Sequence, residues 1–259
     1  MTKPTLKIVK IGGKLIENEA KFTEFLNDFS ALEGPKILVH GGGNLATEMA
    51  EKLGYKTQMH EGRRITDANS IKVITMVYGG LINKNIVAKL QAKGENGIGL
   101  CGADGMSILS KKRPVREVDF GFVGDVETVN SAFISSLLEQ KMIPVFSAIS
   151  CTKEGLLLNT NGDSVAAEIA KAMSANYKTE LFFCFEKKGV LSNPEDERSV
   201  IENIDRLKYK KLLKAKVISD GMLPKLHNSF EALENGVSKI FLGDFRLLKG
   251  GSIHTKIMN

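Results

Sequence analysis

Two glycine-rich turns near the start of the chain are candidate binding sites for anions. Gly12-Gly13 follows an apolar strand sequence that carries Lys10, and Gly41-Gly42-Gly43 lies between a second strand sequence and a helical repeat. Such turns leave backbone N–H groups unpaired at a helix start, where the helix dipole also favours an anion. A single glycine turn of this kind can be needed only for its backbone conformation, without binding a ligand. Two of them on adjacent βα units, beside a lysine that is seldom buried without a partner, indicate a polyphosphate ligand.

Other common catalytic and binding sites lack their residues in this sequence. Neither the P-loop pattern G-x-x-x-x-G-K-[ST] nor the nucleophile elbow G-x-S-x-G occurs. Residues 97–102 match the dinucleotide pattern G-x-G-x-x-G by letters, but they contain a strand-like run and open no helix. The four histidines form no H-x-x-x-H pair and have no cysteine beside them, so we expect no protein-held metal. His40 is expected to end a strand as a packed or turn residue.

The two turns are positioned by a strand–helix–strand beginning. Apolar residues over 6–11 and 36–39 predict two strands, and the spacing of apolar residues over 22–32 predicts the helix between them. Apolar residues then recur every four positions at Leu45, Met49 and Leu53, so a second helix follows the triple glycine directly. This order predicts parallel strands.

The alternation of strands and helices continues through the rest of the chain. The pattern over 67–93 predicts a long helix, 106–130 a hairpin that projects from the sheet, and 142–147 a buried strand. The turn 159–163 precedes another helix, for which Asp163 is the predicted N-cap. We therefore predict an α/β fold, an open three-layer αβα sandwich with a mostly parallel central sheet. Its ligands are expected at the carboxyl ends of the strands.

Length and composition are those of an ordinary globular protein. The chain has 259 residues, 36 Lys and Arg against 30 Asp and Glu, 42% apolar residues and a sequence pI near 9.1. No run approaches the roughly 18 apolar residues of a membrane span, and the first residues do not resemble a signal peptide. The three cysteines have no C-x-x-C spacing, which favours reduced thiols. Basic runs are short and tryptophan is absent, so we expect a cytoplasmic protein with neither a membrane nor a nucleic-acid partner.

Six short motifs occur in an order that is found in one known family. In chain order they are Lys10-Ile11-Gly12-Gly13, Val39-His40-Gly41-Gly42-Gly43, Gly62-Arg63-Arg64-Ile65-Thr66-Asp67, Gly121-Phe122-Val123-Gly124-Asp125-Val126, Asn159-Thr160-Asn161-Gly162-Asp163 and Ser219-Asp220-Gly221-Met222-Leu223-Pro224-Lys225. Through them the chain resembles the amino acid kinase family, and more narrowly its branch that acts on N-acylated glutamate. The resemblance runs from residue 6 to about residue 243.

The resemblance implies ATP-dependent phosphorylation of the side-chain carboxylate of N-acetyl-L-glutamate, or of another N-acyl-glutamate such as N-succinyl-glutamate, in arginine biosynthesis. Mg²⁺ would be carried by the ATP. A carboxylate is already a nucleophile near neutral pH, so catalysis needs positioning and charge neutralisation rather than a general base. By the family pattern, Lys10 contacts the transferring phosphoryl group and Lys225 the leaving β-phosphate side, while Asp163 orients both ammonium groups.

The resemblance also implies which residues bind the two substrates. Arg64 would grip the α-carboxylate of the amino acid, a task that suits a planar guanidinium. The other implied amino-acid contacts are Gly42, Gly43, Asn159 and Asn161. The implied nucleotide contacts are Lys10, Gly12, Gly13, Glu186, Gly189 and Lys225.

One stretch departs from the family pattern. Family members usually carry Thr/Ser-Asp-Val-x-Gly after the strand that lines the nucleotide, whereas this chain has Phe185-Glu186-Lys187-Lys188-Gly189. Glu186 is the candidate replacement for the aspartate, and the adenine and ribose contacts stay open. Lys14 stands where small residues are common, so it either faces solvent or adds charge near the phosphates.

The resemblance further implies a single kinase domain over 1–259 that assembles as a homodimer. Its acyl-amino-acid lobe would cover about 1–150 and its nucleotide lobe about 151–259. Carbamate, aspartate, glutamate or UMP kinase activity on the same fold stays open, as does a non-catalytic ligand sensor. The presence of Lys10, Asp163 and Lys225 together favours an enzyme.

Overall fold

The computed structural model describes residues 3–215, 217–218 and 222–258. The strands of these residues are β1 (Thr5–Ile11), β2 (Lys36–His40), β3 (Gln58–His60), β4 (Arg63–Ile65), β5 (Gly97–Leu100), β6 (Ile108–Lys112), β7 (Gly124–Val129), β8 (Ile143–Ser147), β9 (Ile149–Cys151), β10 (Leu157–Asn159), β11 (Lys178–Cys184), β12 (Asn203–Ile204), β13 (Lys239–Gly243) and β14 (Thr255–Ile257). The α-helices are α1 (Gly13–Glu17), α2 (Glu19–Ser30), α3 (Gly43–Lys52), α4 (Ala68–Ile74), α5 (Asn83–Gln91), α6 (Ser131–Glu139), α7 (Gly162–Met173), α8 (Arg206–Lys214) and α9 (Leu223–Glu234).

The central sheet has the strand order β12-β14-β13-β11-β1-β2-β8-β5. Its neighbours pair in parallel except β13 and β14, which are antiparallel. The predicted hairpin is present as the antiparallel pair β6 and β7, which belongs to a smaller sheet in the order β10-β9-β6-β7. The division into two lobes near residue 150 stays a prediction.

Alternation along β1 assigns its side chains to the two faces of the sheet. Leu6 and Ile8 belong to the hydrophobic cluster that contains α6, α7 and α9. Val9 and Ile11 belong to the cluster that contains α2, α3, α4 and α5. Helices therefore cover both faces, and the predicted three-layer αβα sandwich is confirmed. Because successive side chains on a strand point to opposite faces, Lys10 shares the α7 side with Leu6 and Ile8.

Helix α2 illustrates how the outer layers are held. Asn18 accepts a hydrogen bond from the backbone N–H of Lys21 and so caps the helix. Its apolar residues recur on one face and are buried against the sheet, and each such side chain contributes about 1.5–3 kcal/mol through burial. They are Phe22, Phe25, Leu26 and Phe29.

The long helix that was predicted over 67–93 is not one regular helix. Asp67 caps α4, the segment Thr75–Ile82 is a π-helix, and α5 follows at once. Helical periodicity does not distinguish an α-turn from the wider π-turn, and short π segments are often found at functional sites. The π segment places the buried Tyr78 and Ile82 against the triple-glycine turn.

None of the helices formed by the described residues combines the length and the apolar character that crossing a membrane requires.

Candidate functional site

The candidate site lies at the carboxyl end of β1, between β11 and β2. Chain order reverses there, because the chain continues from β1 to β2 on one side and returns to β11 on the other. Such a reversal leaves a crevice at the strand ends in open α/β sheets. The glycine turn Gly12-Gly13 follows β1, and Gly41-Gly42-Gly43 follows β2. The structure therefore places both turns at the predicted edge of the sheet.

A lysine–aspartate–lysine cluster occupies the α7 side of this crevice. The Nζ of Lys10 lies 2.7 Å from Oδ1 of Asp163, and the Nζ of Lys225 donates a hydrogen bond to Oδ2 of the same carboxylate. The side chains of Lys10, Asp163 and Lys225 are only 15%, 14% and 11% exposed. Two ammonium groups thus share one carboxylate, and the cluster keeps a surplus positive charge at the carboxyl end of β1.

The charges of this cluster oppose the effect of burial on Asp163. Burial alone would raise the pKa of the Asp163 carboxyl, but the positive charges of Lys10 and Lys225 and their hydrogen bonds hold that pKa well below its usual range. Burial lowers the pKa of Lys225, and the attraction of Asp163 opposes that shift. The Nζ of Lys225 also lies 5.3 Å from the centre of the Phe183 ring, which favours a cation. Asp163 therefore stays ionised near neutral pH and is a weak base.

Helix starts position Asp163 and Lys225. Asn161 is the N-cap of α7, because its Oδ1 accepts from the backbone N–H groups of Asp163 and Ser164. The prediction that Asp163 is the N-cap is therefore wrong: Asp163 lies in the first turn, which frees its carboxylate for the lysines. Lys225 lies in the first turn of α9 beside Pro224. Its motif partners Ser219, Asp220 and Gly221 lie outside the described residues.

The two glycine turns touch each other. A Cβ on Gly13 would lie 3.4 Å from the Cα of Gly42. A Cβ on Gly42 would lie 2.1 Å from Cδ1 of Ile82 and 3.2 Å from the Tyr78 ring, whereas one on Gly12 would meet open space. Glycine at 42 is thus required by close packing, and Gly12 borders the open crevice.

Backbone N–H groups of the turns are available to a ligand. Outside regular helices and strands, none of the hydrogen bonds among the described residues uses the N–H of Gly13, Gly42 or Gly43. Gly42 is the N-cap of the ten-residue helix α3, so the positive end of that helix dipole adds to these donors. This arrangement is suited to anionic oxygen atoms.

Arg64 contacts the triple-glycine turn and is held by neutral oxygen atoms. Its Nη2 donates to the carbonyl of Gly43 at 2.9 Å and to Oγ1 of Thr47 at 2.7 Å, and its Nη1 donates to Oγ1 of Thr57 at 3.1 Å. No carboxylate of the described residues forms an ion pair with Arg64. Arg63 is exposed. A half-buried guanidinium with neutral partners can still receive a carboxylate from a ligand.

Asn159 and Thr66 join three loops beside Arg64. The Nδ2 of Asn159 donates to Oγ1 of Thr66 at 3.0 Å, and the backbone N–H of Asn159 donates to the carbonyl of Phe122. The backbone of Thr66 pairs with Phe120 and Phe122. Asn159 therefore lies near the predicted amino-acid site, whereas the side chain of Asn161 is engaged in capping.

The predicted nucleotide residues after β11 have different surroundings. Glu186 is exposed and forms an ion pair with Lys14, with Nζ and Oε2 at 2.9 Å. Gly189 is buried, and a Cβ there would lie 2.6 Å from Oγ1 of Thr255, so packing requires this glycine. Gly189 also lines a cavity next to the start of α9. The other residues that line it are Lys187, Val190, Leu191, Pro194, Val217, Ile218 and Met222.

Reasoning from the sequence missed several residues of this site. Tyr78, Thr47 and Thr57 contact the triple-glycine turn or Arg64, and Val217 and Ile218 line the cavity. An apolar or threonine residue carries no local signal for such a role. The only available hint was the pair Gly79-Gly80 within a helical pattern.

The chain is similar to known proteins of one family. The model of the amino acid kinase family matches residues 5–244. An acetylglutamate kinase from Bacteroides fragilis is 52% identical over 240 residues, which is 93% of this chain and 92% of the relative. An acetylglutamate kinase from Parabacteroides distasonis is 51% identical over 237 residues, covering 92% of this chain and 93% of the relative.

Solved structures show the same fold. The structure of smu.665 from Streptococcus mutans UA159 has a TM-score of 0.82 at 26% identity and covers 98% of each chain. Carbamate kinase from Giardia lamblia bound to AMP-PNP has a TM-score of 0.70 at 12% identity, covering 100% of this chain and 99% of the other.

Proposed function

This chain belongs to the amino acid kinase family, and on that basis we propose that it transfers the γ-phosphoryl group of ATP to the side-chain carboxylate of N-acetyl-L-glutamate, as a step of arginine biosynthesis. The observation that carries the proposal is the buried cluster in which one carboxylate, Asp163, holds two lysines at the mouth of two glycine turns. The names of relatives at 52% and 51% identity support the amino-acid substrate.

The reaction needs no proton transfer. A carboxylate oxygen of the substrate attacks the γ-phosphorus, the bond to the β–γ bridging oxygen breaks, and the products are an acyl phosphate and ADP. Lys10 neutralises charge on the transferring group, and Lys225 stabilises the charge that develops on the leaving ADP. Asp163 orients both ammonium groups through its two oxygens.

The glycine turns provide the remaining stabilisation of the phosphates. Gly12 and Gly13 face the nucleotide side, and Gly42 and Gly43 donate N–H groups where the acceptor meets the γ-phosphate. Both oxygens of Asp163 are engaged by lysines, so Mg²⁺ is expected to arrive with ATP, where it neutralises phosphate charge.

The adenine is proposed to occupy the cavity that Gly189, Val190, Val217, Ile218 and Met222 line. This wall is mostly apolar, as an adenine ring requires, and it adjoins the helix that carries Lys225. Glu186 is proposed to reach the ribose after leaving its exposed partner Lys14.

An assay of ADP release tests the function. Purified protein is given Mg-ATP with N-acetyl-glutamate, N-succinyl-glutamate, glutamate, aspartate, carbamate or UMP, and hydroxylamine traps any acyl phosphate. Turnover with N-acetyl-glutamate and formation of the hydroxamate are expected. Turnover only with N-succinyl-glutamate would change the acyl group, turnover only with another member of the panel would change the substrate class, and silence with all six would indicate a ligand sensor.

Arg64→Lys should raise the KM for the N-acyl-glutamate by about tenfold or more and leave the KM for ATP nearly unchanged. The proposed contact pairs a planar guanidinium with the α-carboxylate, while Asn159 meets the acylamino end, and an ammonium cannot reproduce the two parallel hydrogen bonds. Initial rates with each substrate varied in turn measure both constants.

The exposed neighbour supplies a matched control for this prediction. Arg63→Lys changes the same side chain one position away and should alter neither KM. A selective rise in the KM for ATP in Arg64→Lys would place Arg64 on the wrong ligand.

The setting of the reaction is also proposed. All three cysteines are unpaired thiols, which agrees with the reducing cytoplasm.

A homodimer is supported by the half-exposed Met76 and Leu81, which lie on the same π-helical segment and offer apolar surface to a second copy. Sedimentation equilibrium would measure the mass.

A further inference from the structure

A fully buried histidine adjoins the triple-glycine turn. His40 is the last residue of β2 and is fully buried. Its Nδ1 lies 2.9 Å from the carbonyl oxygen of Gly41, and its Nε2 lies 3.1 Å from Nδ2 of Asn83. The proposed reaction does not use this ring as a base or a ligand.

The two partners determine where the proton of His40 lies. A carbonyl oxygen only accepts, so Nδ1 carries the proton and donates to Gly41. An amide NH₂ only donates, so Nε2 is the unprotonated acceptor of the Asn83 hydrogen bond. Burial lowers the pKa of His40 to about 4, and the ring therefore keeps one donor and one acceptor near neutral pH.

Asn83 is itself held in one orientation. Its Nδ2 donates to the carbonyl of Val145 at 2.8 Å, and its Oδ1 accepts from the Nζ of Lys84 at 3.2 Å. A Cβ on Gly99 would lie 2.0 Å from that Oδ1, so glycine at 99 makes room for the amide. The histidine is thus braced by the residue at which the π-helix gives way to α5.

The hydrogen bond to Gly41 controls a second group through the peptide plane. The carbonyl of Gly41 and the N–H of Gly42 belong to one planar peptide unit, and in a trans peptide they point in opposite directions. Fixing the direction of the Gly41 carbonyl therefore fixes the direction of the Gly42 N–H. Among the described residues, this N–H takes part in no loop hydrogen bond to another backbone group. Glycine on both sides of this unit would otherwise allow it to rotate easily.

We propose that His40, braced by Asn83, is a positioning residue that aims the Gly42 N–H at the transferring phosphoryl group. The proposal rests on the proposed function, because it gives Gly42 a role in the kinase reaction. Asn83 and His40 then form a buried link from the π-helix to the reacting atoms. A donor that is aimed before the reaction stabilises the transition state without reorganisation.

A matched pair of substitutions separates aiming from packing. In His40→Asn the amide nitrogen can occupy the place of Nδ1 and still donate to Gly41, while the acceptor for Asn83 is lost. In His40→Gln the amide oxygen can occupy the place of Nε2 and accept from Asn83, while the donor to Gly41 is lost. Each variant removes one buried hydrogen bond, so similar losses of stability to urea are expected.

The two variants should differ in kcat. His40→Gln is expected to lower kcat for N-acetyl-glutamate phosphorylation by about tenfold or more, with the KM values changed by less than about threefold. His40→Asn should retain most of the wild-type kcat. Equal kcat values in the two variants, or a loss that follows stability alone, would overturn the proposal while wild-type turnover leaves the proposed function standing.

The tautomer of His40 can be measured without any assay of activity. ¹⁵N NMR of wild-type protein with labelled histidine should show His40 protonated on Nδ1 and unprotonated on Nε2 near neutral pH. The ring signals that disappear in the spectrum of His40→Asn are assigned to His40. The opposite tautomer, or a charged ring, would overturn the inference even for a protein with no kinase activity.

Discussion

Replacing Lys225 with alanine is expected to lower kcat by about three orders of magnitude while the fold stays intact. The ammonium of Lys225 stabilises charge that develops on the leaving ADP, so its loss weakens the transition state more than the ground state. Asp163 keeps Lys10 as a partner, with Nζ and Oδ1 at 2.7 Å, so no unpaired buried carboxylate is left behind. Steady-state rates and circular dichroism measure the two outcomes.

Another buried lysine provides the control for this prediction. Lys36 begins β2 at the opposite edge of the sheet, where its Nζ donates to the carbonyls of Ser30 and Leu32 and pairs with Glu95. Lys36→Ala should therefore lower stability and leave kcat close to the wild-type value. An unchanged kcat in Lys225→Ala would remove Lys225 from the catalytic machinery.

Asp163→Asn is expected to lower kcat by about two orders of magnitude or more, although the substitution preserves size and shape. The neutral amide leaves the ammonium groups of Lys10 and Lys225 without their shared counter-charge, and the two groups repel each other. They should move apart and lose the arrangement that suits the transferring phosphoryl group. A kcat within a few-fold of wild type would mean that Asp163 does not orient them.

The same variant should bind ATP at least as tightly as the wild type. Removing a negative charge increases the surplus positive charge of the cluster, which favours the ground-state polyphosphate. Isothermal titration with a non-hydrolysable ATP analogue measures this affinity. Lower kcat together with retained affinity distinguishes loss of positioning from loss of binding.

The pH dependence of stability gives a second test of Asp163. Its pKa in the folded protein is held below the ordinary value of 3.8 by the two lysines, although burial opposes this. The ionised carboxylate therefore contributes stability that is fully present above about pH 5 and is lost as the pH falls below 3.8 towards the lower folded value. Urea denaturation should show a constant gap between wild type and Asp163→Asn at neutral pH and a shrinking gap below about pH 4.

The local pattern of the sequence was sufficient for the fold and for part of the site. The apolar residues over 6–11 and 36–39 predict strands, and the glycines after β1 and β2 predict anion-binding turns, because both predictions depend on neighbours a few positions away. Lys10 was conspicuous for the same reason, since a charged residue interrupts an apolar strand. The αβα layering followed from the order of strands and helices.

Local sequence patterns could not predict the contacts between segments that are distant in the chain. Asp163 and Lys225 are 62 positions apart, and spacing alone does not show that one carboxylate holds two lysines. The family resemblance suggested this arrangement. The packing of α7 on β1 and β11, and of α9 on α7, brings the groups together. The cap of α7 depends on backbone angles that make Asn161 rather than Asp163 the residue before the helix.

The partners of the Arg64, Glu186 and His40 side chains also could not be predicted from local sequence patterns. Arg64 contacts threonines and a glycine carbonyl, Glu186 contacts Lys14, and the ring of His40 links the triple-glycine turn to Asn83. Periodicity shows which face of an element is buried, because that depends on one segment. The choice of partner for a polar group depends on how segments that are far apart in the chain pack, and tertiary structure alone supplies it.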